Sequence, residues 1–404
     1  MLTRQIICII NIGPSRFFLH QTAQNLARAG IEVETISGLV PNSKKLPSKL
    51  IQFFLPSENR LKGRVNDPTG LIPRHESVFG EISWQLGTYL GRNRILNCLS
   101  KYFYAISLVF FDLKAIDILR RNKGKSNLIY HVRSGCGNKS ISYAKNIGAK
   151  IVVDHSYPHP LYDFMNGEKI VDEFLARFTI EKKMLNDLKA SSNIVVNSEF
   201  VSHTFKIIGD FRNLKVLLPP IDEKFSQMLR KPKNIDRQGL IYFGTANLRK
   251  GIDKFHDVIN LLPTSIPVKI DGQWDATVYQ IRKSLSKKSN VQILSSSDFK
   301  EITENLSSAR YFLFLTRGEG SARTVAEAMH AGVIVLTTQA AGMTMNSNAL
   351  VDVSTFSPSD IVKHINELEN DANLREVISI NAVDLIAQLE KVYIPNLIEF
   401  YNSL

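Results

Sequence analysis

Two glutamates stand eight positions apart in the segment TRGEGSARTVAEAMHAG, residues 316–332: Glu319, between Gly318 and Gly320, and Glu327. Paired carboxylates can cleave a glycosidic bond, but that chemistry holds the two carboxyl groups roughly 5 to 9.5 Å apart. Eight helical residues separate Cα atoms by roughly 12 Å, so the spacing suits two different tasks. A second group is Arg249–Lys250 in GTANLRKG, bounded by Gly244 and Gly251. Glycine lets the backbone approach a ligand, and the two cations suit a phosphate; a solvated loop is the other reading. The P-loop pattern GxxxxGK[ST] is absent. His131 and His155 close two strand-like runs, LIYHV and KIVVD, and each is either structural or part of a site. Gly13 occupies the first strand–helix turn without a GxGxxG pattern, so a dinucleotide motif is not supported. No DxD pair occurs, and no metal site is expected.

The elements that must position these residues follow from periodicity. Tyr311–Leu315 and Val333–Thr337 are apolar runs of strand length. Between them Val325, Ala326 and Met329 repeat at helical spacing, and Gly332 marks a helix end. A helix starting at Ser321 or Ala322 would aim unpaired N–H groups at the glycine turn, a seat for phosphate. The same strand–helix alternation runs along most of the chain and predicts α/β architecture with parallel sheets. In the first half the strands are Ile6–Ile10, Ile31–Ile36, Leu128–Val132, Lys150–Asp154, Asn193–Asn197 and a run from Lys215. In the second half they are Leu240–Gly244, Ile266–Ile270, Val291–Leu294 and the two named above. A long helix is expected over roughly Glu168–Lys189. Residues 53–94 read as a long loop or subdomain insertion. The polar, basic segment 222–238 reads as a linker. The expected organisation is two Rossmann-like doubly wound domains facing a cleft, residues 1–221 and 239–385, with a C-terminal helix over 386–404 that packs back on the first domain.

Composition sets the outer bounds. At 404 residues, with 44% hydrophobic and 22% charged residues, the chain can bury more than one core. The formal charge of +12 favours anionic partners such as nucleotides, nucleic acid or an anionic membrane surface. No nucleic-acid-binding motif accompanies that charge, and a nucleic-acid partner is not expected. Cys8, Cys98 and Cys136 form no CxxC, which fits a reducing cytosol. The most membrane-like stretch, Tyr102–Phe111, is too short to span a bilayer and reads as a buried helix or an interfacial one.

Together these segments resemble the retaining glycosyltransferases of family 4, which have the B-type glycosyltransferase fold (GT-B). EGSARTVAE, preceded by TR and followed by AMHAG, is similar to that family's E-x7-E element. LIYFGTANLRKGID is similar to its strand-glycine-KG segment, and IVVNSEFVSHTF with KVLLPPID to the end of its acceptor domain. The resemblance covers most of residues 125–345. It implies that Lys250, with Arg249, grips the donor diphosphate, and that Gly244 admits it closely. Glu319 would lie beside the transferring sugar and Glu327 would bind the ribose hydroxyls. The N–H groups of Gly320, Ser321, Ala322 and Arg323 would face the phosphates, His155 would stand at the sugar's reacting face, and Gly13 would leave room for the donor.

The expected activity is transfer of a sugar from a nucleotide-diphosphate donor to a glycan or lipid-linked acceptor, with retention and without metal. No cofactor is expected besides the donor substrate. The setting implied is surface polysaccharide synthesis at the cytoplasmic face of an anionic inner membrane, in peripheral contact with it. Two positions depart from the family pattern: Thr245 replaces an arginine and Gln339 replaces an acid. A catalytically silent nucleotide-sugar-binding subunit, or an epimerase on the same fold, is the alternative.

Overall fold

Short runs of β-branched and aromatic residues, each closed by a glycine or a polar turn, become thirteen strands in two all-parallel sheets among the described residues. The computed structural model describes residues 6–14, 18–39, 72–91, 97–163, 165, 167, 180–210, 212, 214–221, 226–227, 237–295, 299–343 and 348–404. The first sheet comprises β1 (Ile7–Gly13), β2 (Glu32–Ser37), β3 (Arg74–Glu76), β4 (Leu128–Arg133), β5 (Lys150–His155), β6 (Ile194–Val196) and β7 (Leu214–Val216), in the order β3-β2-β1-β4-β5-β6-β7. The second comprises β8 (Leu240–Phe243), β9 (Val268–Asp271), β10 (Val291–Leu294), β11 (Tyr311–Phe314), β12 (Ile334–Thr337) and β13 (Val351–Asp352), in the order β10-β9-β8-β11-β12-β13. Both sheets reverse their winding once, between β1 and β4 and between β8 and β11. Ligands of open parallel sheets gather at such switch points, outside the carboxyl ends of the strands.

The first sheet is covered on both faces. Alternate residues of β1 divide between them: Ile7 and Ile9 join the core under α3 (Asn97–Arg121), α4 (Asn138–Asn146) and α6 (Glu199–Ile208), while Cys8, Ile10 and Ile12 join the core under α1 (Leu19–Arg28). The helix α2 (Val78–Leu90) lies against α3, and α5 (Ile180–Ala190) adds Leu188 to the first of these cores. In the second sheet, α7 (Ile252–Leu261), α8 (Tyr279–Leu285), α9 (Phe299–Ser308), α10 (Arg323–His330) and α11 (Pro358–Asn370) enclose one continuous core. The chain ends in α12 (Ala372–Ser403), a single helix of 32 residues. Its first half contributes Ile378, Ala382 and Ile386 to the second core. Its second half contributes Tyr393, Leu397 and Tyr401 to the first, where the Tyr393 hydroxyl meets Thr22 Oγ1 at 3.0 Å.

Four expectations need correction. Residues 74–90 are not loop: they form β3 and α2, and the rest of 53–71 lies outside the described residues. Tyr102–Phe111 is not simply a buried helix, because α3 buries Leu108 and Phe111 but exposes Tyr102, Ile106 and Val109. Arg237, in the expected linker, is buried and donates to Ala331 O. The C-terminal helix begins at Ala372 rather than near 386: Asp371 caps it by accepting from the Leu374 N–H, and it continues through Pro395. Of the helix expected over 168–189, residues 168–179 lie outside the described residues, as does most of 222–236.

Candidate active site

The β8 turn and the β11 turn are built as one unit. Gly244 has φ +127°, and the neighbouring Gly272 is so close that a Cβ there would lie 1.9 Å from Gly244 O. The turn from Thr245 to Gly251 is pinned where the Lys250 N–H donates to Asn247 Oδ1 at 2.9 Å. Gly251 (φ +73°) passes against the end of β11, where a Cβ would meet Leu315 O at 1.9 Å. Across that contact the Arg317 N–H and Thr316 Oγ1 both donate to Arg249 O, at 2.8 and 3.1 Å. Arg317 also grips Asp253 at the start of α7 through both guanidinium nitrogens, at 2.8 and 2.6 Å. Burial would raise the Asp253 carboxyl, but the hydrogen bond and charge of Arg317 hold it below the ordinary value.

This lacing brings three charges together. Arg249 Nη1 lies 2.7 Å and Lys250 Nζ 3.6 Å from Glu319 Oε1, with all three side chains partly exposed. Arg249 also donates to Gly318 O at 2.6 Å. Lys250 Nζ sits 5.6 Å from the centre of the Phe314 ring. Two cations against one carboxylate leave a local excess of positive charge at the sheet's switch point, which is the electrostatic setting a diphosphate needs.

The first sheet reaches the same place. The Arg249 guanidinium lies 5.6 Å from the ring centre of Tyr157, in the loop after β5. The backbone of Gly320 runs against that loop so tightly that a Cβ would sit 2.0 Å from Ser156 O. Ser198 caps α6 by accepting from the Val201 N–H, and its own hydroxyl donates to Gly320 O. The turn that carries Glu319 is therefore clamped between the carboxyl ends of both sheets.

The remaining expected residues are placed as follows. Glu327 is buried on α10, two turns beyond the glycine turn. α10 starts at Arg323 without a side-chain cap. Of the backbone groups expected to face phosphates, that of Ala322 is already bound to Ala341 O at 2.8 Å, so it cannot serve. Ser321 Oγ lies 3.9 Å from Met343 Sδ, and the Arg323 side chain is exposed. At Gly13 (φ +76°) a Cβ would meet Cys136 Sγ at 2.6 Å, so the turn there takes only glycine.

His155 is fully buried at the end of β5, edge-on to Phe205. Its Nε2 lies 3.3 Å from Pro158 O, an acceptor only, so Nε2 carries the proton. Nδ1 must then accept from Ser134 Oγ at 2.8 Å. Burial lowers its pKa to about 3, which keeps the ring neutral. Ser134 in turn belongs to a turn fixed by Asp187, whose Oδ2 accepts from the Gly135 and Gly137 N–H groups at 2.8 Å each. His131 is buried too, with Nδ1 2.5 Å from the Tyr401 hydroxyl of α12.

The two departures have local explanations. The Gln339 amide donates to Asp352 Oδ2 at 3.0 Å, where a carboxylate would meet a carboxylate. Thr245 is exposed at the rim and supplies its carbonyl to the Tyr242 hydroxyl. Sequence reasoning missed Tyr157 and Ser198, which lie far from the glycine turn along the chain. Ser198 did carry a signal, as a serine directly before a helical pattern. Among the described residues no three His, Cys, Asp or Glu side chains converge as metal ligands, and no helix is long and apolar enough to cross a membrane.

Comparison with known proteins bears on the whole arrangement. Residues 224–384 match the family described as glycosyl transferases group 1. A search of curated proteins finds no match. Among solved structures, the N-terminal domain of the trehalose-6-phosphate phosphatase of Candida albicans superposes with a TM-score of 0.68 at 10% identity, covering 99% of this chain and 97% of that one. Sucrose-phosphate synthase from Thermosynechococcus elongatus gives 0.66 at 13% identity, with 99% of each chain covered. HepE of Anabaena, in complex with UDP, gives 0.64 at 12% identity, covering 99% of this chain and all of that one. Likeness at such identities speaks for the fold, and the fold is that of the GT-B glycosyltransferases.

Proposed function

We propose that this chain, whose residues 224–384 match the glycosyl transferases group 1 family, moves a sugar from a nucleoside-diphosphate donor to a glycan or lipid-linked acceptor, with retention of configuration. The observation that carries the reading is the Arg249–Lys250–Glu319 cluster at the β8/β11 switch point. A diphosphate entering there takes over the ammonium and guanidinium now shared with Glu319, and the freed carboxylate turns to the sugar. As the glycosidic bond breaks, negative charge grows on the leaving phosphate, where Lys250 and Arg249 stabilise it more than in the ground state. Glu327 binds the ribose hydroxyls, which change little during the reaction. HepE has been solved with UDP-glucose, which supports a nucleotide sugar as the class of donor.

His155 serves this reaction from behind the surface. Its neutral ring holds the loop carrying Ser156 and Tyr157 by donating to Pro158 O, and that loop abuts Gly320. The departing phosphate accepts the acceptor's proton on the face it leaves, which gives retention without a protein nucleophile. The two cations do the neutralising work of a divalent ion, so transfer proceeds without one. The acceptor belongs to a surface polysaccharide assembled at the cytoplasmic face of a membrane, with the enzyme peripheral to it.

The test is transfer from a panel of nucleoside-diphosphate sugars in excess EDTA, with the product's anomeric proton coupling read by NMR. Retained configuration with chelator present is expected. An inverted product contradicts the mechanism, and loss of activity on chelation contradicts its metal-free part.

A further inference from the structure

The turn that carries Glu319 is tied to its own sheet on both flanks. The Gly318 N–H donates to Thr316 Oγ1 at 3.2 Å, and the Glu319 and Ala322 N–H groups donate to Ala340 O and Ala341 O at 2.8 Å each. Between those ties lies the Gly320–Ser321 peptide, whose N–H has no acceptor among the described residues. Glycine lets the peptide plane that follows it turn either way at little cost, so residue 320 does not fix that plane. The fixing contact comes from the other sheet. Ser198, buried between β6 and α6, donates its hydroxyl hydrogen to Gly320 O while the same oxygen accepts the Val201 N–H at 3.2 Å. A hydroxyl has one hydrogen, so holding Gly320 O uses its whole capacity as a donor. Gly342, at φ +71°, keeps this corner clear: a Cβ there would lie 2.2 Å from Gly320 O and 2.8 Å from Ser198 Oγ.

A trans peptide points its N–H opposite to its C=O, and no cis bond occurs among the described residues. With Gly320 O turned to Ser198, the Ser321 N–H is turned away from it. That N–H stands two residues beyond Glu319, whose carboxylate is shared by Arg249 and Lys250. We infer that Ser198 is a positioning residue for the donor site: from the first sheet it sets the Gly320–Ser321 peptide so that the Ser321 N–H meets the diphosphate held by those two cations. The inference rests on the diphosphate site of the proposed function, and it adds that this site is incomplete without the first domain. Ser198 does not touch the donor and acts through one peptide plane. Turned over, the same plane would offer the phosphate a carbonyl oxygen in place of an N–H, and a charge-assisted hydrogen bond would become a repulsion.

Residues 320 and 321 are the sequence's single Gly-Ser pair. The full chain, made by cell-free synthesis with glycine labelled at its carbonyl carbon and serine labelled at its nitrogen, therefore gives one carbonyl–amide correlation in NMR. Its carbon reads the bond from Ser198, and its proton reads the ligand. In titrations with UDP, GDP and ADP, the wild-type amide proton should move downfield with whichever nucleotide binds. Ser198→Ala should shift the carbon before any nucleotide is added, lose most of the proton's response and weaken binding roughly tenfold, as loss of one hydrogen bond to a charged group does. Ser198→Thr keeps the hydroxyl and the cap and should restore the response and the affinity. A serine that only caps α6 would lower the Tm in Ser198→Ala and leave the amide response and the affinity as they were, which would overturn the inference. A carbon resonance unmoved by Ser198→Ala would overturn it too. If none of the three nucleotides binds the wild-type chain, the donor reading falls and the inference with it, whereas binding indifferent to Ser198→Ala removes the inference alone.

Discussion

The two sheets share one winding, and each reverses it at the same relative place, but the two switch points present different surfaces. At the β1/β4 point the polar groups are turned inward: Cys136 Sγ lies where a Cβ of residue 13 would be, and Ser134 and His155 are bonded to each other and buried. At the β8/β11 point the turns are open, and Arg249, Lys250 and Glu319 keep part of their side chains in solvent. The first sheet uses its ionisable groups to fix loop positions, and the second leaves three of them partly exposed, where a ligand could reach them. Topology alone therefore says where a site can be, and the exposure of charge is the reason the donor is proposed for the second of two equivalent places.

The largest expected effect tests the open switch point. Lys250→Ala should lower kcat/KM by about 100- to 1000-fold, the usual loss for one preorganised charge contact of about 2.7–4 kcal/mol, while far-UV circular dichroism stays unchanged. Retention of more than about a third of the wild-type value would show that the ammonium does not meet the leaving group.

Glu327→Ala should act differently from Lys250→Ala although both residues lie on segments that follow strands of the same sheet. A lost hydrogen bond to a charged group costs about 1.5–3 kcal/mol and should appear as a raised donor KM with kcat nearly kept. A fall in kcat at constant KM would move Glu327 from the ribose to the reaction.

Gly320→Ala probes the contact between the sheets. The new methyl would collide with the Ser156 carbonyl, backbone against backbone, so the loops must part. Overpacking of this kind costs about 1–3 kcal/mol, visible as a lowered Tm together with lost activity. An unchanged Tm would mean that the two loops do not press on each other in solution.

The effect smallest at neutral pH concerns the β1/β4 switch point. His155 is held neutral by burial, with its pKa at about 3 in the folded chain against 6.5 ordinarily. The unfolded chain binds a proton between those values that the folded chain refuses. Its contribution to stability is thus complete above pH 6.5 and is lost progressively as pH falls towards 3. The slope is at most about 1.4 kcal/mol per pH unit, and His155→Gln should remove it from denaturant titrations between pH 6.5 and 4. Equal slopes in both proteins would place the ring in contact with water.

Much of this was legible in the sequence where local pattern dictates structure. Tyr311–Leu315, the glycine turn, the helix through Met329 and Val333–Thr337 fall where periodicity puts them, because each buries a regular apolar face in one core. Residues 74–90 were misread since Arg74, His75 and Glu76 look like loop residues, yet form a three-residue edge strand with no full apolar face to display. The candidate site was legible only in part. Arg249, Lys250 and Glu319 announce themselves by charge beside glycine, whereas Tyr157 and Ser198 reach the site through tertiary contacts that no local spacing encodes. The histidines show the converse, since strand-end position was visible but burial was not.

The central claim, that Arg249 and Lys250 at the β8/β11 switch point hold a nucleoside diphosphate, is tested most directly by titration calorimetry with a panel of nucleoside diphosphates. The account predicts that at least one binds the wild-type chain with one-to-one stoichiometry, in EDTA, and that Lys250→Ala weakens it by about tenfold or more, as loss of one charge-assisted contact should. Equal binding by wild type and variant, or no binding of any nucleoside diphosphate to the wild-type chain, would contradict it.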